Sequence, residues 1–202
     1  MLNKIIYTIL GFGVAFVFFP KLSSPNATQP MVSGVATTQT QESRITAAPE
    51  QVYNLAAPVL TAKSAVVIDL NSQTLLYSKN LNENLPIASL TKLMTALVVL
   101  KHSNENDIVT VEKKDTDVVG VSIGIVPNEQ LTVLSLVKAM LIPSSNDAAL
   151  ILATHISGNS DNFAVLMNDE ARRLGLISTH YSNPVGWDIS GGFSNSLDQI
   201  KV

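Results

Sequence analysis

The sequence predicts an α/β domain of the α+β kind, a helical subdomain beside a small antiparallel sheet. Three observations lead there. Residues 65–69 and 75–79 are short runs rich in β-branched and large apolar residues, and the polar Leu70-Asn71-Ser72-Gln73 between them suits a hairpin turn. From residue 89 onward, apolar residues recur mostly at helical rather than strand spacing. Glycine and proline then divide that stretch into several segments of ordinary helix length.

Taken in order, the first helix is expected from Ser89 to about Lys101, with Leu90, Leu93, Met94, Leu97 and Leu100 as its apolar set. Ile108-Val109-Thr110-Val111 predicts a short strand. Residues 112–130 read as loop, with glycines at 120 and 124 and a turn at Pro127-Asn128. A second helix is expected over 131–142, ended by Pro143. Residues 147–156 are apolar all round, as in a buried helix, and Gly158 can end it. Ser160 or Asp161 can cap a fourth helix whose apolar set is Phe163, Leu166, Met167, Ala171 and Leu174, with Gly175 as its stop. Ser194 or Asn195 can cap a further helical turn at 197–200. No internal repeat is visible.

Composition narrows the function classes. The chain has 202 residues, 46% of them hydrophobic, and a formal net charge of −3, which suits one domain with an appendage. The mildly acidic balance and the lack of a basic block argue against a nucleic-acid partner. Cysteine is absent, which excludes disulfides and thiolate metal sites. His102, His155 and His180 lie far apart without ligand spacing and read as structural, so no metal or cofactor is expected.

The N-terminus carries a separate signal. Lys4 precedes an uncharged run over 5–19, closed by Pro20-Lys21, the pattern of an export signal. No small-x-small cleavage site follows Phe19, so an uncleaved anchor is an alternative. As a helix the run would span roughly 22 Å, less than a ~30 Å hydrocarbon core, and Leu2, Leu22 and a snorkelling Lys21 could extend it. Residues 1–22 are therefore assigned to a signal peptide or membrane anchor. Residues 23–50, rich in Ser, Thr, Pro, Gln and Asn, are assigned to a disordered tether. The folded domain is placed at 51–202, with residues 53–60 as a short lead-in.

Two motifs carry chemistry. In Ser89-Leu90-Thr91-Lys92, serine and lysine are nearly one helical turn apart and share a face. A serine hydroxyl needs a neighbouring base to become a nucleophile, and lysine can be that base when its surroundings lower its pKa. The plainer alternative is an N-cap serine followed by a solvated lysine. Pro143-Ser144-Ser145-Asn146-Asp147 follows, with Ser144 55 residues after Ser89. It can present a hydroxyl and an amide to a common site, or can simply be a helix-connecting turn with Ser145 or Asn146 as N-cap. The combination S-x-x-K then S-x-N is a known signature of the penicillin-binding proteins and class A β-lactamases.

On these residues the chain resembles the low-molecular-mass penicillin-binding proteins, the serine D-Ala-D-Ala carboxypeptidases. The resemblance runs over 65–188 and includes Pro86-Ile87-Ala88 before Ser89, Leu141-Ile142 before Pro143, Leu174-Gly175-Leu176, and Asn183-Pro184-Val185-Gly186-Trp187-Asp188. Ser145 stands where the family usually has glycine. Asn183-Pro184 followed by Gly186 favours the carboxypeptidase branch over the β-lactamases. The resemblance implies a β-lactamase/transpeptidase-like fold and an acyl-enzyme reaction on peptidoglycan stem peptides. In it Ser89 is the nucleophile and Lys92 its base, Ser144 relays a proton to the leaving D-alanine, and Asn146 binds the substrate amide carbonyl and helps orient Lys92. The Ser89 backbone N–H would form half an oxyanion hole. It also implies binding of β-lactam antibiotics, an extracytoplasmic location and a membrane contact through the N-terminal segment. The family's third motif, Lys-Thr-Gly or Lys-Ser-Gly, does not occur; the nearest match, Lys63-Ser64-Ala65, precedes the nucleophile. The expectation is a domain truncated before that strand, with an incomplete antiparallel sheet and no measurable carboxypeptidase activity in these 202 residues alone. Alternatives are an inactive wall-binding relative, a D,D-endopeptidase or a β-lactamase.

Overall fold

A computed structural model describes residues 47–50, 56–188 and 191–202, all within one unit spanning 44–202. The apolar N-terminal run and the tether up to residue 46 lie outside the described residues, as do residues 51–55 of the lead-in. The described elements are β1 (Ala65–Asp69), β2 (Thr74–Lys79), α1 (Thr91–His102), β3 (Ile108–Thr110), β4 (Gln130–Thr132), α2 (Val133–Leu141), α3 (Asn146–Ser157), α4 (Ser160–Arg173) and α5 (Ser196–Gln199). This is the expected mixture of helix and strand.

β1 and β2 form the predicted antiparallel hairpin, with a register irregularity between Val67 and Ile68. Its turn is tied by Asp69, whose carboxylate accepts from the Ser72 amide at 2.7 Å and the Ser72 hydroxyl at 2.5 Å. Both faces of the hairpin are open in part: Val67, Leu75 and Leu76 remain about half exposed. The chain beyond the hairpin is joined to later segments by backbone bridges, Leu85 with Ser194 and His180 with Phe193.

The core lies among the helices. α3 is central, packing against α1, α2 and α4. Its Ala148, Ala149 and Ala153 are buried, and such small side chains let neighbouring backbones come close, while Ile151 and Leu152 fill the space between. Met94, Val98 and Val99 enter from α1, Leu136 and Met140 from α2, and Phe163 and Met167 from α4. α3 ends at Gly158, which adopts φ +83° as a left-handed cap. On α4, buried Glu170 pairs with Lys101 of α1 and with Arg173. The Arg173 hydrogen bond, helped by Lys101, holds the Glu170 carboxyl at about 2, below the usual range despite its burial.

Several boundaries differ from the sequence expectation. Leu131 and Thr132 belong to β4, which pairs with β3, so α2 begins only at Val133. Thr132 caps α2, its side chain accepting from the Ser135 amide. Residue 111 falls outside β3. The cap of α4 is Asn159, one residue ahead of Ser160 and two ahead of Asp161, while Asn195 caps α5 as one of the two expected residues. A 3₁₀ turn at Ala88–Leu90 precedes α1, so Ser89 is neither the first residue of the helix nor its N-cap.

Candidate active site

The site forms where the 3₁₀ turn before α1, the α2–α3 connection and the 183–187 turn meet. Ser89 is exposed, whereas Lys92, one turn further on, is 2% exposed. The Lys92 amine donates to Ser89 Oγ at 3.0 Å, to Ser144 Oγ at 3.3 Å and to the Val185 carbonyl at 3.3 Å. Burial pushes its pKa below the ordinary lysine value, toward the neutral form a base requires. The solvated-lysine alternative is thereby excluded.

Two backbone positions beside this amine are strained. Ala88, directly before Ser89, has φ +45°, and Ser144 has φ +63°. Non-glycine residues reach that region at a cost of about 1–3 kcal/mol, and such strained positions cluster at functional sites. The 183–187 turn approaches Ala88 closely: Gly186 (φ +87°) lies so near that a Cβ there would overlap the Ala88 carbonyl, so only glycine fits at 186.

The second motif divides its labour. Ser144 reaches Lys92, and Ser145 is buried as the residue before α3. Asn146 ties the second motif to a neighbouring loop: its side-chain amide donates to the Val119 carbonyl at 2.8 Å and its backbone N–H to the Val121 carbonyl at 2.7 Å. The third hydrogen-bond partner of Lys92 is the Val185 carbonyl. Buried Asp147 fastens the same loop, accepting from the Ser122 hydroxyl at 2.6 Å and from the amides of Ile123 and Ile125. The loop over 119–125 is tied to the second motif from both residues.

An open groove beside Ser89 is lined by Ile87, Leu90, Lys92, Leu93, Met140, Leu141 and Ser144. Its walls are mostly apolar and its polar groups are those of the two motifs, the make-up of a site that binds a small organic group and orients it through a few polar atoms. Among the described residues no group of three or more His, Cys, Asp or Glu side chains is arranged to hold a metal. Among them, too, no helix is long and apolar enough to cross a membrane.

The Val185 carbonyl was not anticipated. It is a main-chain atom, and nothing in the side chain of Val185 announces it. The signal available was Asn183-Pro184-Val185-Gly186, which the resemblance singled out without a role.

Residues 51–200 match the family model described as D-alanyl-D-alanine carboxypeptidase. The D-alanyl-D-alanine carboxypeptidase DacF of Bacillus subtilis is 37% identical over 142 residues, covering 68% of this chain and 36% of that protein. A D-alanyl-D-alanine endopeptidase of Escherichia coli is 32% identical over 167 residues, covering 77% of this chain and 52% of that protein. Among solved structures, penicillin binding protein 5 from Haemophilus influenzae superposes with a TM-score of 0.67 at 31% identity, covering 73% of this chain and 45% of that one. The chain therefore spans between about a third and a half of the length of these three relatives, and its fold is that of the penicillin-binding proteins.

Proposed function

This chain belongs to the D-alanyl-D-alanine carboxypeptidase family, and we propose that it carries the acylating half of a serine-type D-alanyl-D-alanine carboxypeptidase site. The observation that carries the reading is the Lys92 amine, buried and hydrogen-bonded at once to Ser89 and to the distant Ser144. Neutral Lys92 takes the Ser89 proton as Ser89 Oγ attacks the carbonyl of the terminal D-Ala-D-Ala bond. The Ser89 N–H stabilises the oxyanion. The proton then passes from Lys92 through Ser144 to the nitrogen of the departing D-alanine, leaving an acyl ester on Ser89. One hydrogen of the Asn146 amide is engaged by Val119, and the other is proposed to meet the substrate amide carbonyl. Lys92 next activates water, which releases a stem peptide shorter by one D-alanine. β-Lactams would be trapped at the same ester stage.

The substrate is peptidoglycan stem peptide outside the cytoplasm, with residues 1–22 as signal peptide or membrane anchor, 23–50 as tether and 51–202 as the catalytic domain. The Lys-Thr-Gly or Lys-Ser-Gly tripeptide is not among these 202 residues, so the test uses the protein expressed from its intact gene. D-alanine release from diacetyl-Lys-D-Ala-D-Ala should be measurable and should vanish in Ser89→Ala. Activity surviving in Ser89→Ala would end the assignment. The endopeptidase among the relatives motivates a second reading, preference for D-Ala bonds within cross-links. Faster cleavage of a cross-linked dimer than of the pentapeptide would select it.

A further inference from the structure

Asn183 is buried, and its side chain gathers the whole 183–187 turn. Its Oδ1 accepts from three backbone amides, Val185 at 3.1 Å, Gly186 at 2.7 Å and Trp187 at 3.0 Å. Its Nδ2 donates to the Trp187 carbonyl at 3.0 Å and the Ser182 hydroxyl at 3.2 Å. With those amides satisfied inside the turn, two carbonyls are free to face α1. The Pro184 carbonyl accepts from Thr95 Oγ1 at 2.7 Å, and the Val185 carbonyl accepts from Lys92 Nζ. Thr95 lies three residues beyond Lys92, so the turn grips α1 at two points on one face.

The nature of the partners then matters. A neutral amine has two hydrogens and one lone pair. Ser89 and Ser144 can each donate or accept, but a carbonyl can only accept. The Val185 carbonyl must therefore take one of the two hydrogens. With Ser144 accepting the other, the lone pair is left facing the Ser89 hydroxyl. A base needs that arrangement, and hydroxyl partners alone would not enforce it.

We propose that Asn183 is a positioning residue for Lys92: by holding the 183–187 turn closed it sets the Val185 carbonyl against the amine, directs the lone pair at Ser89 and keeps water from the amine's buried side. The inference rests on the reading of Lys92 as the base for Ser89. Asn183 touches neither the nucleophile nor the groove beside it. Its effect passes through the turn, with Thr95 as the second anchor.

The test follows Lys92 itself. The protein expressed from its intact gene and its Asn183→Ala and Thr95→Val variants are trace-labelled with acetic anhydride across pH 7–12, and acetylation of Lys92 is read by peptide mass spectrometry against Lys101 and Lys201. Ser89 labelling by a fluorescent penicillin is measured over the same range, and thermal midpoints are recorded. In Asn183→Ala, water reaches the amine and its titration moves up by about one unit toward that of an ordinary lysine. Ser89 labelling at neutral pH falls about tenfold and recovers as pH rises. Thr95→Val shifts both in the same direction by less, since one anchor remains. A residue that merely stabilises the fold would lower the thermal midpoint and leave both profiles in place, and that result overturns the proposal. If Asn183→Ala does not fold, an unchanged Lys92 profile in Thr95→Val overturns it alone. Failure of the unmodified chain to label at Ser89 at any pH counts against the acylation reading instead. The acetylation profile needs no turnover and still decides the role of Asn183.

Discussion

The helical body and the β1–β2 hairpin bury their apolar residues to very different degrees. Leu152, Met94 and Phe163 are fully enclosed among α1, α3 and α4, whereas Val67, Leu75 and Leu76 of the hairpin are about half exposed. The candidate site follows the first region. Ser89 sits in the 3₁₀ turn just before α1 and Lys92 in the first turn of α1, Ser144 lies at the α2–α3 connection, and the turn holding Lys92 packs on the face of α1. The hairpin supplies none of these groups. The difference teaches that the acylating geometry depends on the packing around α3, and that changes in the hairpin should reach it only weakly.

The most damaging test removes the base from an intact body. Lys92→Met should lower Ser89 acylation by about 10³ or more. A buried amine with a lowered pKa costs stability below its folded-state pKa, and that cost fades as pH rises toward the unfolded value. Lys92→Met should accordingly keep or raise the thermal midpoint at neutral pH. A midpoint well below that of the parent would show that Lys92 is chiefly structural.

Next in size is a cavity in the body. Leu152→Ala at the centre of α3 should cost about 2–5 kcal/mol in chemical denaturation and should lower Ser89 labelling along with the folded fraction. Labelling unaffected by a loss of that size would separate the site from the helical core.

A smaller effect comes from acid. The Glu170 carboxyl, held at about 2 by Arg173 and Lys101, contributes stability that is fully present above its unfolded value near 4.5 and is lost as pH falls toward 2. Thermal midpoints should decline across that window, and Glu170→Gln should flatten the decline. An equally steep profile in the variant would remove Glu170 from the account.

The hairpin should respond least. Leu76→Ser replaces a half-exposed side chain and should change stability by about 0.5 kcal/mol or less, with Ser89 labelling unchanged. A tenfold loss of labelling there would break the distinction between the two regions.

Much of this was legible in the sequence because it is local. The hairpin runs, the apolar periods of the four longer helices and the left-handed cap at Gly158 each follow from a few neighbouring residues. What escaped depends on distant partners. β4 merged with the apolar run of α2 because Leu131 and Thr132 suit either state, and only pairing with β3 decides between them. The 3₁₀ turn under Ser89 includes Ala88 in an unusual conformation, and it lies against Gly186 from almost a hundred residues away. The two motifs announced Ser89, Lys92 and Ser144. The tie between Asn146 and the 119–125 loop was not legible, because Val119 and Val121 accept from it through backbone carbonyls. Val185 escaped because its contribution is a backbone carbonyl, the same atom at every residue.

The account stands most directly on the identity of the acylated residue. The protein expressed from its intact gene is exposed to a penicillin and digested with trypsin, and the peptide carrying position 89 is examined by mass spectrometry, 80–92 in the parent and in Ser89→Ala and 80–101 in Lys92→Met. The account predicts a penicilloyl adduct on Ser89 that is absent from Ser89→Ala and from Lys92→Met while both variants stay folded. An adduct retained in Ser89→Ala, or carried by the peptide containing Ser144 instead, would contradict it.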